Sequence, residues 1–177
     1  MVKTINNQDT LKWTDKNLDE NTAYYYKIRP YVTVGTTNVY GSYSNIYIKD
    51  SITIKLQEIQ MYTYVPYQSG GNTLSGWDCS GFTQWAMNYI YNVKLPRTSE
   101  EQAVYGTEVD KDDMSLWRPG DILVYTANGR VNHVALYLGN GKMMHALNGT
   151  HGTVIQDVEY YETWDKKNNL YAVRRCF

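Results

Sequence analysis

The chain has 177 residues, 42% of them hydrophobic, with 17 Lys+Arg against 18 Asp+Glu. That is enough apolar material for one well-buried domain, or one domain and a small partner, and it excludes a disordered chain. A net charge of -1 offers no electrostatic footprint for a polyanion, so nucleic acid is not an expected partner.

The unusual count is 18 Tyr against 2 Phe, which puts hydroxyls where an ordinary core has bare rings and suits sugar- or peptide-facing surfaces. The opening residues Met1 to Gln8 contain no apolar stretch, and no run of about 18 apolar residues occurs, so neither a signal peptide nor a membrane span is expected.

Residues 1–50 are rich in Tyr, Thr, Asn and Ser. Short alternating runs, Tyr24 to Arg29 and Asn45 to Ile48, are separated by turn signals at Gly35 and Gly41-Ser42, which predicts an antiparallel β module. Leu18 to Tyr26 resembles the approach to a tyrosine corner, in which a Tyr hydroxyl bonds back to the upstream backbone. With Tyr40-Gly41-Ser42-Tyr43-Ser44 it resembles the later half of a fibronectin type III domain. Only about half of such a ~100-residue sandwich fits before residue 50, so a partial module is expected. Residues 51–58 read as a linker, and 59–177 as the main domain.

After Gly70-Gly71, the residues Phe82, Trp85, Ala86, Tyr89 and Ile90 recur at helical spacing, which predicts an amphipathic helix starting at Asp78-Cys79. A second, short helix is predicted from about Ser99 to Tyr105, with Thr98 and Glu101 as a capping box and Gly106 as its stop. Strands are predicted at Asp121–Tyr125, Val131–Leu138, Met143–Leu147, Val154–Glu159 and Leu170–Cys176. Helices followed by strands give an α+β fold.

Cys79 and Cys176 are the two cysteines, too far apart and too few for a disulfide framework or a zinc ribbon. Cys176, in an apolar strand, reads as a buried thiol. Cys79 at a helix start is different, because unpaired N–H groups and the positive end of the helix dipole favour a thiolate there. A cysteine nucleophile needs a base. His133 opens one strand and His145 lies in the next, after Gly139-Asn140-Gly141.

The turn decides whether the two rings can cooperate. A two-residue loop at Asn140-Gly141 puts residue 136 opposite 145 and the histidines on opposite faces. A three-residue loop with left-handed Gly141 puts 135 opposite 145 and both rings on one face, leaving Val134, Leu136, Met144 and Ala146 on the other. The second register is chosen, with the rings expected on the Cys79 side. His133 is then the base and His145 the group that orients it. A zinc site made of Cys79, His133 and His145 is the alternative chemistry, and a plain buried thiol with hydrogen-bonded histidines is the structural one.

Five strings carry a family resemblance: Pro66-Tyr67-Gln68-Ser69-Gly70-Gly71, Asp78-Cys79-Ser80-Gly81-Phe82, Leu95-Pro96-Arg97-Thr98-Ser99, Arg118-Pro119-Gly120-Asp121-Ile122, and His133 through Lys142. Together, in this order over about residues 57–177, they resemble the NlpC/P60 cysteine peptidases. The resemblance implies a papain-like fold and cleavage of peptidoglycan stem peptides, typically between D-glutamate and the diamino acid, without metal or cofactor. It implies an extracellular or cell-wall location for the full-length protein.

By position, the resemblance makes Cys79 the nucleophile, His133 the general base and His145 the orienting residue. Tyr67 matches a tyrosine that assists the oxyanion. Asp78 and Ser80 match positions that in some members bind a stem peptide's free amine, although Asp78 could equally be a helix N-cap. Arg97 reads as a structural salt-bridge partner, or as a contact for a substrate carboxylate. Two departures stand out: Leu56 to Val65 is a poor helix where the family has a clear one, and Ser69 replaces an aromatic residue. The rival readings are a CHAP-like amidase or peptidase, which places an acidic residue or Asn third, and a catalytically silent cell-wall binding module.

Overall fold

The computed structural model describes residues 3–6, 14–15, 24–44, 47–49, 51–164 and 169–177. The chain divides into two units, Met1–Ser51 and Ile52–Phe177.

In the first unit, tyrosine- and valine-rich runs form β1 (Tyr24–Tyr26), β2 (Tyr31–Val34), β3 (Thr37–Tyr40) and β4 (Tyr47–Lys49). The pairs β2–β3 and β1–β4 are both antiparallel. The Arg29 guanidinium lies 3.7 Å from the Tyr40 ring centroid and 4.6 Å from that of Tyr43, a cation–π pairing on this segment. None of its described side chains is buried, as expected for strands too few to enclose a core. The tyrosine-corner approach at 18–23 lies outside the described residues. Among the described residues, Tyr26 donates to Oδ2 of Asp15 at 3.1 Å.

The second unit begins with a correction. The stretch 51–58, read as a linker, belongs to helix α1 (Ser51–Ile59), and a 3₁₀ turn continues it over Gln60–Tyr64. Leu56 and Ile59 are buried, and Ile52 packs against the same cluster. These three lie on one helical face; the β-branched Thr53 and Ile54 between them mask the period. The chain then turns through β5 (Asn72–Thr73) and β6 (Gly76–Trp77) into α2 (Cys79–Tyr91).

Helix α2 starts where the sequence places it. Asp78 is the N-cap, accepting from the Gly81 N–H at 2.7 Å, and left-handed Asn92 ends the helix. Helix α3 (Ser99–Gln102) carries the predicted Thr98–Glu101 capping box but stops short of Tyr105. After β7 (Thr107–Val109) come β8 (Ile122–Ala127), β9 (Arg130–Gly139), β10 (Lys142–Asn148), β11 (Gly152–Asp157), α4 (Val158–Trp164) and β12 (Asn169–Arg175). Helix α4 takes in Val158 and Glu159, which the alternation of the preceding residues predicts as the end of a strand.

Strands β7–β12 form one antiparallel sheet in the order β11-β10-β9-β8-β12-β7. Phe82, Ala86, Met87 and Ile90 of α2 pack with Val124, Val134, Leu136, Met144 and Ala146 on one face. Burying each large apolar side chain there contributes about 1.5–3 kcal/mol. The other face carries Leu123, Tyr125, Ala135, Tyr137, Met143 and Val173, covered by Val158 and Tyr161 of α4.

The β9–β10 hairpin satisfies the predicted register by a different route. Residue 144 opposes 136, so 145 falls opposite 135, as expected. The loop, however, has two residues, Asn140 and Gly141, with φ of 52° and 70°, and Lys142 pairs with Gly139. Met143 then pairs with Tyr137, leaving Leu138 as a one-residue bulge that shifts the register back.

Candidate active site

Strand alternation overturns one expectation. Val134, Leu136, Met144 and Ala146 do share a face, but it is the face that packs with α2 and Cys79. The rings of His133 and His145 lie on the other face, against Tyr125 and Tyr161 of the second core. The cause is α2 itself, whose apolar stripe needs the wholly apolar face of the hairpin and brings Cys79 with it.

The thiol nevertheless meets the backbone of the histidine strand. Beyond Met144↔Leu136 the pairing between β9 and β10 ends. The N–H of Val134, the residue after His133, is close to the Cys79 sulfur and favours its ionised form, as do the N–H groups of Ser80 and Cys79. Burial opposes them and prevails, pushing the Cys79 thiol above its ordinary range. The helix start alone therefore does not make a resting thiolate, contrary to expectation.

His133 Nε2 and His145 Nδ1 are 2.6 Å apart, with ring planes at 74°. Such a contact shares one proton between the two rings, which points to a relay and not to joint ligation of a metal through these atoms. His145 is fully buried and His133 is 5% exposed. Burial, with His145 as neighbour, drives the His133 pKa well below the ordinary imidazole value. Burial pulls His145 down to about 4, although its hydrogen bond to Gln156 acts the other way. Both rings are thus neutral near neutral pH.

Gln156, absent from the sequence reading, places Oε1 2.8 Å from His145 Nε2. In the observed register Val154 opposes His145 and Gln156 opposes Met143, which puts Gln156 on the ring face. The sequence signal for this is the parity of Gln156 with Val154, usable only once the β10–β11 register is known.

Tyr67 is joined by a parallel bridge to Trp77 and lies near enough to the thiol to feel its charge. Burial first, then the charges of Cys79 and Asp78, push its phenol pKa up, so the hydroxyl stays protonated and available as a donor.

Asp78 is saturated. Its Oδ1 accepts from Gly81 N–H, Ser80 Oγ and Arg97 Nη1, and its Oδ2 from Gly70 N–H and Arg97 Nη2. Five donors fill the roughly four lone-pair sites of a carboxylate. Burial raises the Asp78 pKa, but Arg97 and the backbone donors outweigh it and hold the carboxyl below its usual range. Arg97 also bonds Ser80 Oγ at 2.9 Å and the Gly71 carbonyl at 3.1 Å. The predicted structural salt bridge is therefore present, and Asp78 and Ser80 serve the cap. Gly81 completes the join, since a Cβ there would lie 2.1 Å from the Gly71 oxygen.

The NlpC/P60 family model matches residues 64–174. The chain is 36% identical to "Probable endopeptidase NlpC" of Escherichia coli (strain K12) over 107 residues, covering 58% of this chain and 68% of that protein. It is 38% identical to "Gamma-D-glutamyl-L-lysine dipeptidyl-peptidase" of Bacillus subtilis (strain 168) over 116 residues, covering 64% and 37% respectively. Among solved structures, the NlpC/p60 domain of the peptidoglycan hydrolase SagA superposes with a TM-score of 0.56 at 25% identity, covering 71% of this chain and 96% of that one. The chain spans about half to two thirds of the length of the first curated relatives it matches.

Proposed function

The chain belongs to the NlpC/P60 family, and on that premise we propose that it is a cysteine peptidase acting on peptidoglycan stem peptides at the bond between D-glutamate and the diamino acid. The observation that carries the reading is the 2.6 Å pairing of His133 Nε2 with His145 Nδ1. It lies beside the residue whose N–H faces a cysteine at a helix start. The γ-D-glutamyl bond in the Bacillus relative's name favours this bond as the substrate.

In this mechanism the Cys79 sulfur, which reaches the Val134 N–H where the β9–β10 pairing ends, gives its proton to His133 Nδ1 through that opening in the sheet as it attacks the amide carbonyl. The tetrahedral oxyanion is met by the Cys79 N–H and the Tyr67 hydroxyl. The C–N bond breaks as His133 gives its proton to the leaving amine, and the acyl group stays on sulfur. Water, losing a proton to His133, then attacks the thioester; the acid departs and the thiol is restored. His145 holds the His133 ring throughout, while Asp78, Ser80 and Arg97 hold the helix start. Each step is carried by side chains and backbone groups of this chain.

A peptidoglycan substrate places the working protein outside the membrane, at the cell wall. No helix among the described residues is long and apolar enough to cross one. Residues 1–50 are proposed as a partial fibronectin type III-like module joined to the catalytic domain, on the strength of the Tyr24 to Tyr26 and Tyr40 to Ser44 strings.

The test is mass spectrometry of products from defined muropeptides with wild-type and Cys79→Ala protein. The substitution should abolish cleavage and leave the unfolding transition nearly unchanged. Cleavage by Cys79→Ala at the wild-type rate would sink the assignment.

A further inference from the structure

We propose that Gln156 is a positioning residue that sets the tautomers of both histidines through one run of hydrogen bonds, so that His133 Nδ1 is left bare. The proposal rests on the peptidase reading above. Gln156 Oε1, 2.8 Å from His145 Nε2, can only accept, so the His145 proton sits on Nε2. A neutral imidazole protonated at Nε2 has a bare Nδ1. The 2.6 Å contact from that atom to His133 Nε2 must then be bridged by a proton carried on His133 Nε2. His133 Nδ1 is the nitrogen that remains, and among the described residues no hydrogen bond engages it.

The run has one direction. Were residue 156 a donor, every proton along it would reverse, and His133 would present an N–H to the thiol in place of a lone pair. The rings cannot easily turn away from this arrangement, because Tyr161 packs on both, 5.5 Å from His133 and 5.1 Å from His145 between centroids. His145 has no exposed surface, so water does not supply a substitute acceptor freely. Partners that orient metal-bound histidines in the same way typically govern 10–100-fold in activity, and an effect of about that size is expected here.

Three proteins test the proposal, the wild type, Gln156→Leu and Gln156→Glu, each read by imidazole nitrogen NMR at neutral pH and by kcat and KM on muropeptides. In the wild type both His133 and His145 should carry their proton on Nε2, with exposed His151 as the internal reference. Gln156→Leu removes the acceptor; kcat should fall about 10–100-fold with KM within about twofold, and the His145 nitrogens should show mixed protonation. Gln156→Glu keeps an acceptor and should retain the wild-type tautomers and most of kcat. A His145 protonated on Nδ1 in the wild type overturns the proposal, as does a leucine variant with wild-type tautomers and kcat. A wild-type protein that cleaves no muropeptide counts against the peptidase reading alone, because the spectra still decide the proton positions.

Discussion

The indole N–H of Trp77 ends on the hydroxyl of Thr153, 2.7 Å away, and that hydroxyl donates onward to the Val65 carbonyl at 2.8 Å. Three separate stretches meet at one oxygen atom, and all three residues are buried. Val65 precedes Tyr67, Trp77 precedes Cys79, and Thr153 lies in the strand that carries Gln156. A single threonine therefore couples the phenol, the thiol and the support of the histidines.

Replacing Thr153 with Val keeps the shape and strands two buried polar groups, each worth about 1–3 kcal/mol when left unpaired. Thr153→Val should lose about 2–4 kcal/mol in urea unfolding, whereas Thr153→Ser, which keeps the hydroxyl, should lose about 1 kcal/mol or less. Equal midpoints for the valine variant and the wild type would show that the hydroxyl is not a structural tie.

Tyr67 has a chemical use only if its hydroxyl meets the oxyanion. Tyr67→Phe retains the ring in the core edge and deletes the donor, so kcat should drop by about 100-fold while the unfolding midpoint holds. Steady-state kinetics on a defined muropeptide reads the difference. Full activity in the phenylalanine variant would leave Tyr67 with packing alone.

The two buried histidines make stability depend on pH in a stated direction. Each is held neutral in the fold, with a folded pKa below the ordinary 6.5, about 4 for His145. Above 6.5 both folded and unfolded states are neutral and stability is full. As pH falls below 6.5 the unfolded chain binds protons that the fold refuses, so stability declines until the folded pKa is reached. For His145 alone the loss by pH 4 is about 3 kcal/mol, and His133 adds to it. Urea titrations at neutral and mildly acidic pH measure this; equal stabilities at both would contradict the buried neutral pair.

Burial penalises both the thiolate of Cys79 and the imidazolium of His133, so the resting pair is thiol and neutral imidazole. Alkylation of Cys79 by iodoacetamide in the substrate-free protein should climb on the alkaline side and show no plateau in mild acid. Cys176, pushed up to about 11 mainly by burial, should follow at still higher pH. Site-resolved mass spectrometry of the two modified peptides separates them, and rapid acid-side labelling of Cys79 would reveal a stabilised ion pair instead.

Much of the catalytic unit is legible in residue order, for reasons that differ by element. Helix α2 announces itself because Asp78 is a capping residue followed by a clean apolar spacing, and both signals are local. The β9–β10 register is legible from the parity of two histidines against an apolar set. Which face α2 would cover is not legible, because parity says that residues share a face and not what packs on it. Helix α1 hides behind β-branched residues, and α4 hides because Val158 and Glu159 prolong the alternation of the preceding strand. Gln156 becomes visible only with the register across the 149–151 turn, which no residue there specifies. Asp78 reads equally as a cap or a ligand until Arg97, distant in the chain, is seen to occupy it.

The bulge at Leu138 makes the hairpin a parity device. Its effect lies in a count of residues and not in any side chain. Were Leu138 drawn into the regular ladder, Cys79, His133, His145 and Gln156 would all be present, yet with the two-residue turn residue 145 would come opposite 136. One imidazole would then point into the apolar layer beneath α2. Activity would be lost through arithmetic with every reactive group intact, because the number of paired residues between the histidines matters before their identity does.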